Sequence, residues 1–379
     1  MQLSYWEKNT FYSNIDIGIV GGGLIGMCTA LYLKQALPQC NITIFERGTL
    51  PYGASTRNAG FACIGSLGEL LDDHKHEGIE SILQRISLRY EGLKGLRALV
   101  GDTPMDYKSY GGFEIFTKEN SDEYHLCEVS IEKWNHYLSP ITGLKDTFVA
   151  ADEDIERFGF GNVRHIIMNK AEGQIDTGKL IDALIRQCNS NGVRILNGIA
   201  ITKIIQEGGS ATLRSDNIDI PCRKVVLCNN AFARQFLPEI DVVPARAQVL
   251  VTTPIDNLRL RGSFHYQQGY YYFRNINNRI LLGGGRNIDK IGETTYEFGT
   301  TDVIMDGLRQ LLNDIILPNI PYDIAQSWSG IMAMGNSKTP IITKIDNSLY
   351  VAVRMGGMGI AIGSTVAKTV SNMIVEDMN

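Results

Sequence analysis

The chain has 379 residues, room for about two domains, and its 44% hydrophobic and 20% charged residues are ordinary for a soluble globular protein. A net charge of −5 gives no reason to expect nucleic acid or an anionic membrane surface as partner, and no apolar run approaches a membrane span. The seven cysteines are scattered and form no C-x-x-C pair; with six scattered histidines they offer no credible zinc site, so no metal is expected, and they read as reduced thiols of a cytoplasmic protein.

Residues 1–14 are polar and aromatic and lack a basic stretch followed by an apolar one, so no secretory signal is expected. They read as a surface arm, with Tyr5, Trp6, Phe11 and Tyr12 packing on the domain. The stretch Ile15 to Gly26 then gives a short β-rich run, Ile17 to Val20, followed by Gly21-x-Gly23-x-x-Gly26 and a helix from Leu24 to Leu37. Strand, tight turn and helix are the context in which this glycine spacing signals a dinucleotide site. Gly21 permits the turn, Gly23 lets the backbone approach a pyrophosphate, and Gly26 lets the helix sit close on the strand. The diphosphate then meets free N–H groups at the helix N-terminus. A second strand, Asn41 to Phe45, ends at Glu46, 20 residues after Gly26, where an acid accepts hydrogen bonds from an adenosine ribose and argues against a 2′-phosphate. The unit closes at Arg47, which is counted with the cofactor residues.

Leu50 to Cys63 is a loop rich in small residues, which allows close approach of a ligand; Cys63 at its end reads as a small core residue. Leu67 to about Val100 is helical, and the acids of E-L-L-D-D-H at 69–74 read as a solvated face. A strand at 109–116 and an amphipathic helix from Asp122 to Tyr137 follow. Asp176 or Thr177 caps a helix that Gly192 ends, and the next residues read as a strand pair. Residues 224–232 form a buried strand. Residues 242–253 and 270–285 are the most strand-like stretches, joined within the latter by an N-I-N-N turn, and suggest an antiparallel sheet. W-S-G-I-M-A-M-G-N-S-K-T-P at 328–340 leads to a second strand, glycine turn and helix that runs to Asp377.

Three of these segments, in this order, carry a resemblance: the 15–47 unit, the G-A-S-T-R-N-A-G loop at 53–60, and the W-x-G segment with M-G-G-M-G-I at 355–360. Together they resemble the D-amino-acid oxidase superfamily of FAD-dependent amine oxidoreductases, which includes glycine oxidase, sarcosine oxidase, D-amino acid dehydrogenase and γ-glutamylputrescine oxidase. The resemblance covers about 15–379. It implies that Gly53, Ala54, Ser55, Asn58, Ala59 and Gly60 line FAD, that Ile201 lies near the adenine, and that the segment at Cys228 to Ala231 passes near the ADP part. It implies that Gly356, Gly357, Met358, Gly359 and Ile360 present a helix N-terminus to the flavin edge that becomes anionic on reduction. Thr56 or Arg57 stands where some relatives carry a covalent flavin ligand, so FAD is expected to be non-covalent.

Tyr270 matches a substrate-contacting tyrosine of glycine oxidase, and Arg274 closes the same Y-x-x-x-R pattern. Three family cations are missing. The glycine oxidase arginine of the Gly-rich turn falls at Gly357, the one after W-x-G falls at Met332, and the sarcosine oxidase lysine for oxygen activation falls at Leu281. Lys338 before T-P looks closer to the γ-glutamylputrescine oxidase branch. Either Arg57, Arg274 or Lys338 replaces the lost cation, or the reacting end of the substrate bears no carboxylate. The second option is preferred, with Glu69, Asp72 and Asp73 attracting a distal ammonium group.

The fold expected is α/β: a Rossmann-type FAD-binding domain, discontinuous over 15–73, 172–241 and 335–379, with a mixed or antiparallel-sheet substrate domain over 74–171 and 242–334. The function implied is an FAD-dependent amine or amino-acid oxidoreductase. The substrate's C–N bond is oxidised by hydride transfer to flavin N5, the imine is hydrolysed, and oxygen or another acceptor takes the electrons. The alternatives are a hydroxy-acid oxidase or dehydrogenase on the same scaffold, or a flavin-binding redox or structural partner without turnover. A plain NAD enzyme leaves the 55–60 loop and the C-terminal glycines unexplained.

Overall fold

The computed structural model describes residues 3–216 and 218–378. Two eight-stranded sheets carry the architecture. In the first, Leu349–Val353, Ile218–Leu227, Ile15–Val20, Ile42–Glu46 and Arg194–Asn197 lie side by side and parallel. Ile341–Lys344 closes one edge antiparallel, and Lys203–Glu207 with Ser210–Ser215 extends the sheet from the start of Ile218–Leu227. The central strands are covered on both faces, which is why they read as near-continuous apolar runs rather than as alternations. Helices Leu24–Ala36 and Ile79–Val100 both pack on Gly359–Glu376. A Cβ at Gly26 would stand 2.0 Å from the carbonyl oxygen of Gly21, so a side chain there would push the first of these helices off its turn.

The second sheet runs Ile324–Met334, Val243–Thr252, Arg279–Gly284, Tyr271–Ile276, Ser263–Tyr266, Gly112–Thr117, Val163–Asn169, Phe148–Ala150. Its pairs are antiparallel except Ser263–Tyr266 with Gly112–Thr117, which is parallel and makes the sheet mixed. Asn277 and Asn278 form the two-residue turn of the aromatic hairpin, Asn277 at φ 52°. Phe113, Phe264 and Phe273 stack in its core, 4.9–5.0 Å between neighbouring ring centroids. The α/β fold class is the one expected.

Several local expectations need correction. Tyr5 and Trp6 do not pack on the domain but stand exposed on the short helix Tyr5–Phe11, which a Ser4–Glu7 capping box begins; Arg194 lies over the Phe11 ring at 5.6 Å, and Tyr12 packs against the core as expected. The helical stretch 67–100 is two helices, Leu67–His74 and Ile79–Val100, because Gly78 starts the second in extended conformation. The strand pair after Gly192 is not paired with itself. Arg194–Asn197 joins Ile42–Glu46 in parallel, whereas Lys203–Glu207 forms a hairpin with Ser210–Ser215.

Candidate active site

A cavity of about 1190 Å³ opens at the carboxyl ends of the parallel strands, where Val20, Phe45, Glu46 and Cys228 line it. Open α/β sheets bind ligands at this end of their strands, and the volume exceeds the ~300–1,000 Å³ typical of ligand pockets, leaving room for a dinucleotide and a substrate together.

The residues present fit FAD. Helix Leu24–Ala36 starts at Gly23 and helix Gly359–Glu376 at Met358; neither of these two residues caps its helix with a side chain, and both line the cavity. Two open helix N-termini converging on one space are suited to a diphosphate and to a ring edge that gains negative charge. Glu46 Oε2 accepts from the Gly22 amide at 2.9 Å and Oε1 from the Gly48 amide at 2.9 Å. The carboxylate is thereby fixed, with lone pairs left for a ribose hydroxyl. Ser55 Oγ accepts from the Leu24 amide at 2.9 Å, tying the 53–60 loop to the first helix start. Asn58 Oδ1 accepts from the Gly60 amide at 2.8 Å and holds the turn of that loop. Gly21, Gly23, Arg47, Gly53, Ala54, Ala59, Ile201, Gly356, Gly357, Gly359 and Ile360 also line the cavity, with Arg47 stacked on Phe232. Gly26 does not; it packs helix on strand.

At the substrate end the structure redistributes the expected roles. Tyr270 lines the cavity, half open to solvent. Arg274 does not line it: the side chain is buried and donates to the carbonyls of Gly60 at 3.1 Å and Ile175 at 2.7 Å. It is a brace for the 53–60 loop, and burial, only partly offset by Asp176 and Asp106, pulls its pKa down to about 10. Arg57 lines the cavity but donates to Ser329 O at 2.9 Å and lies over the rings of Tyr52 and Phe298. Cys63 is buried, as a small core residue is expected to be, and also borders the cavity, with Sγ 3.4 Å from Met358 Sδ. Leu281 is buried in an apolar cluster with Ala59 and Val249.

Of the acids in the 69–74 segment, Asp72 is part-exposed and pairs with Lys75 at 3.1 Å, whereas Glu69 and Asp73 are held in a charge network instead of forming a solvated face. Lys338 bonds to Glu69 at 3.2 Å and Asp73 at 2.5 Å. Arg85 bonds to Asp73 at 2.6 Å and to Glu77, and Arg89 lies 3.6 Å from Glu69. Burial works against the Glu69 carboxylate, but Arg89 and Lys338 more than offset it and hold its pKa below the usual range. Lys338 is likewise consumed by this network.

The cation that sequence reasoning missed is Arg286. Among the described residues it makes no ion pair or hydrogen bond, and it is half-buried on the cavity wall. Gly284 (φ 116°) and Gly285 (φ 73°) turn the chain out of the strand just before it, with the Gly285 amide on Tyr270 O at 2.9 Å. A Cβ on Gly284 would stand 2.1 Å from that same oxygen, so the turn needs glycine. Arg286 and Tyr270 are thus delivered to the cavity from adjacent strands. The signal for it was the G-G-G run at 283–285, directly after an aromatic hairpin.

Residues 16–373 match the family model described as FAD dependent oxidoreductase. The chain is similar to the "Gamma-glutamylputrescine oxidoreductase" of Escherichia coli (strain K12), 23% identical over 96% of this chain and 84% of that protein. Among solved structures it resembles L-proline dehydrogenase from P. horikoshii, TM-score 0.76 at 18% identity, over 96% of this chain and 94% of that one. Glycine oxidase from Bacillus cereus gives TM-score 0.76 at 16% identity, over 96% of both. No helix among the described residues is long and apolar enough to cross a membrane.

Proposed function

We propose, from the premise that this chain belongs to the family of FAD dependent oxidoreductases, that it oxidises the C–N bond of an amino acid or a related amine. The observation that carries the amino-acid part is Arg286, a cation without an ion-pair partner among the described residues, beside Tyr270 on the wall of the cavity. A carboxylate needs such a partner to leave water, and a guanidinium provides two parallel donors for it. This reverses the preference for a substrate without a carboxylate, which rested on the cations missing at Gly357 and Met332.

The chemistry that FAD supplies when bound is acceptance of a hydride from the carbon beside the substrate nitrogen, leaving an imine that water hydrolyses. The chain's part is to bind, orient and exclude water. Glu46 would hold the ribose. Gly23, Ile25, Gly359 and Ile360 would offer the cofactor backbone N–H groups, and Ala59 to Phe61 would hold its ring system. Val249, Tyr272 and Met332 supply apolar walls. The proposed division assigns 15–73, 172–241 and 335–379 to the cofactor and 74–171 and 242–334 to the substrate; its support is that the strands of each set form one large sheet. All seven cysteines are free, which supports a reducing compartment such as the cytoplasm.

Purified protein is expected to be yellow and to release FAD on acid precipitation. Anaerobic mixing with glycine, sarcosine, D-alanine and D-proline should bleach it more readily than putrescine derivatives or hydroxy acids. Reoxidation by oxygen should be slow, since Leu281 puts an alkyl group where sarcosine oxidase has its lysine. Bleaching by a hydroxy acid alone would move the assignment to that class, and colour that nothing bleaches would make the chain a flavin-binding partner. In the apoprotein, Glu46→Ala is expected to weaken FAD binding by about 1.5–3 kcal/mol, the range for hydrogen bonds to a charged group. Unchanged affinity in a fluorescence titration would remove Glu46 as the ribose ligand.

A further inference from the structure

His265, on Ser263–Tyr266, lines the cavity edge-on to Phe61, ring centroids 5.4 Å apart. Its Nε2 and the Oε2 of Glu172 stand 3.6 Å apart, both buried and both without a hydrogen-bond partner among the described residues. The other oxygen of Glu172 is committed. Oε1 accepts from the amides of Ile64 and Gly65, each at 2.9 Å, and from Asn169 Nδ2 at 3.2 Å. These bonds fix the carboxylate and leave Oε2 facing the imidazole. A proton on Nε2, facing Oε2, gives both buried orphans a complementary neighbour at a separation a little beyond hydrogen-bond length. With that proton on Nε2, the neutral ring keeps its lone pair on Nδ1. Nδ1 lies toward the Gly269 turn, 3.8 Å from where a Cβ on that glycine would stand. Gln268, Gly269 and Tyr270 of that turn all line the cavity.

The geometry points to His265 as the proton acceptor for the substrate's ammonium group, with Glu172 as the positioning residue that sets its tautomer and holds the resulting imidazolium. The inference rests on the amine or amino-acid reading above. In the step, a substrate N–H bond breaks, its electron pair stays on nitrogen, and an Nδ1–H bond forms; no electrons are exchanged. The neutral amine is what the oxidation needs, because only a free lone pair stabilises the cation that develops on the adjacent carbon as the hydride leaves.

The neighbourhood holds other charges. Glu114 lies opposite His265 across the parallel strand pair, Glu69 approaches from helix Leu67–His74, and Arg89 and Lys338 stand behind Glu69. Tyr272 is opposite on the other strand, and Cys63 lines the same wall. Burial works against a charged His265, but Glu172 first, then Glu114 and Glu69, outweigh it and hold the ring's pKa above the ordinary histidine value. Glu114 is itself pushed up to about 7 by burial, against the Gly68 amide and Ser66 hydroxyl that bond to it. The base form of His265 therefore prevails only above its raised pKa, and efficiency should climb as pH rises through it.

Histidine-labelled holoenzyme, followed by NMR from pH 5 to 10, tests the dyad without turnover. His265, assigned by its loss in His265→Asn, should titrate above the usual histidine range. Glu172→Gln keeps the Oε1 acceptor and removes the charge, and should move that titration down. A ring that does not titrate in this window, or one indifferent to Glu172→Gln, overturns the dyad. The second arm is anaerobic flavin bleaching by sarcosine and D-proline as a function of pH. His265→Asn, with FAD content as the check on folding, should lose about a hundredfold in bleaching efficiency at pH values between the His265 midpoint and the amine's own pKa, and recover it above the latter. Superimposable profiles overturn the proton-acceptor role. If no amine bleaches even wild type, it is the amine reading that fails, and the NMR arm still decides the dyad.

Discussion

Arg286→Ala is expected to raise the dissociation constant of an amino-acid substrate about ten- to a hundredfold, with the FAD content unchanged. Removing a charged hydrogen-bond partner costs about 1.5–3 kcal/mol, and each ~1.4 kcal/mol is a factor of ten. The other cations of the cavity wall are poorly placed to compensate. Arg57 is held by Ser329 O and two aromatic rings, and Lys338 by Glu69 and Asp73. Arg47 lies over Phe232, on the side of Glu46. Because the substrate carboxylate is bound alike before and during reaction, the loss should fall on binding more than on the limiting rate of flavin reduction. Arg286→Lys keeps the charge and loses the two-pronged geometry, so it should recover only part of the affinity. A decarboxylated analogue of the same substrate should bind wild type and Arg286→Ala equally. If the variant binds amino acids as wild type does, the carboxylate is held elsewhere; if only carboxylate-free amines bleach the protein, Arg286 serves another purpose.

What could be read ahead of the structure divides along one physical line. Interactions set within a short stretch were legible. The Gly21 to Gly26 turn, the small-residue loop at 53–60 and the glycines at 356–359 each need their conformation locally, and all line or support the cavity. Roles that depend on partners far apart in sequence were not. Glu69 and Asp73 read as solvated because Lys338, Arg85 and Arg89 reach them from other segments. Arg274 read as a substrate ligand because pattern gives its position but not its rotamer; it turns to the carbonyls of Gly60 and Ile175. Glu172 and His265 are 93 residues apart and meet only when the second sheet forms. Arg286 went unremarked because a lone arginine after a strand has no meaning until its freedom from partners is visible.

Glu293→Ala is expected to destabilise the protein by about 3–5 kcal/mol, the cost of breaking a buried ion pair and leaving its partner charged and unpaired. Glu293 is fully buried and takes Arg246 bidentately, Nε at 2.9 Å and a terminal nitrogen at 2.8 Å. It also accepts from Gln248 Nε2 at 2.8 Å. Arg246 and Gln248 occupy one face of strand Val243–Thr252, while Ala247 and Val249 from the other face line the cavity. Through these bonds Glu293 ties the segment that begins at Arg286 to the strand that forms the cavity wall. Loss of the carboxylate strands the Arg246 guanidinium in the interior, and the urea and thermal midpoints should both fall. The exposed pair Lys94–Glu91 is the control; Glu91→Ala should leave both midpoints unchanged, since water already solvates both groups. The double variant Arg246→Met with Glu293→Leu removes both charges and keeps the volume, so it should regain much of the stability, with Gln248 still bonded to Thr301. Equal instability of the single and double variants would mean that Glu293 acts through the shape of its loop and not through the charge of Arg246.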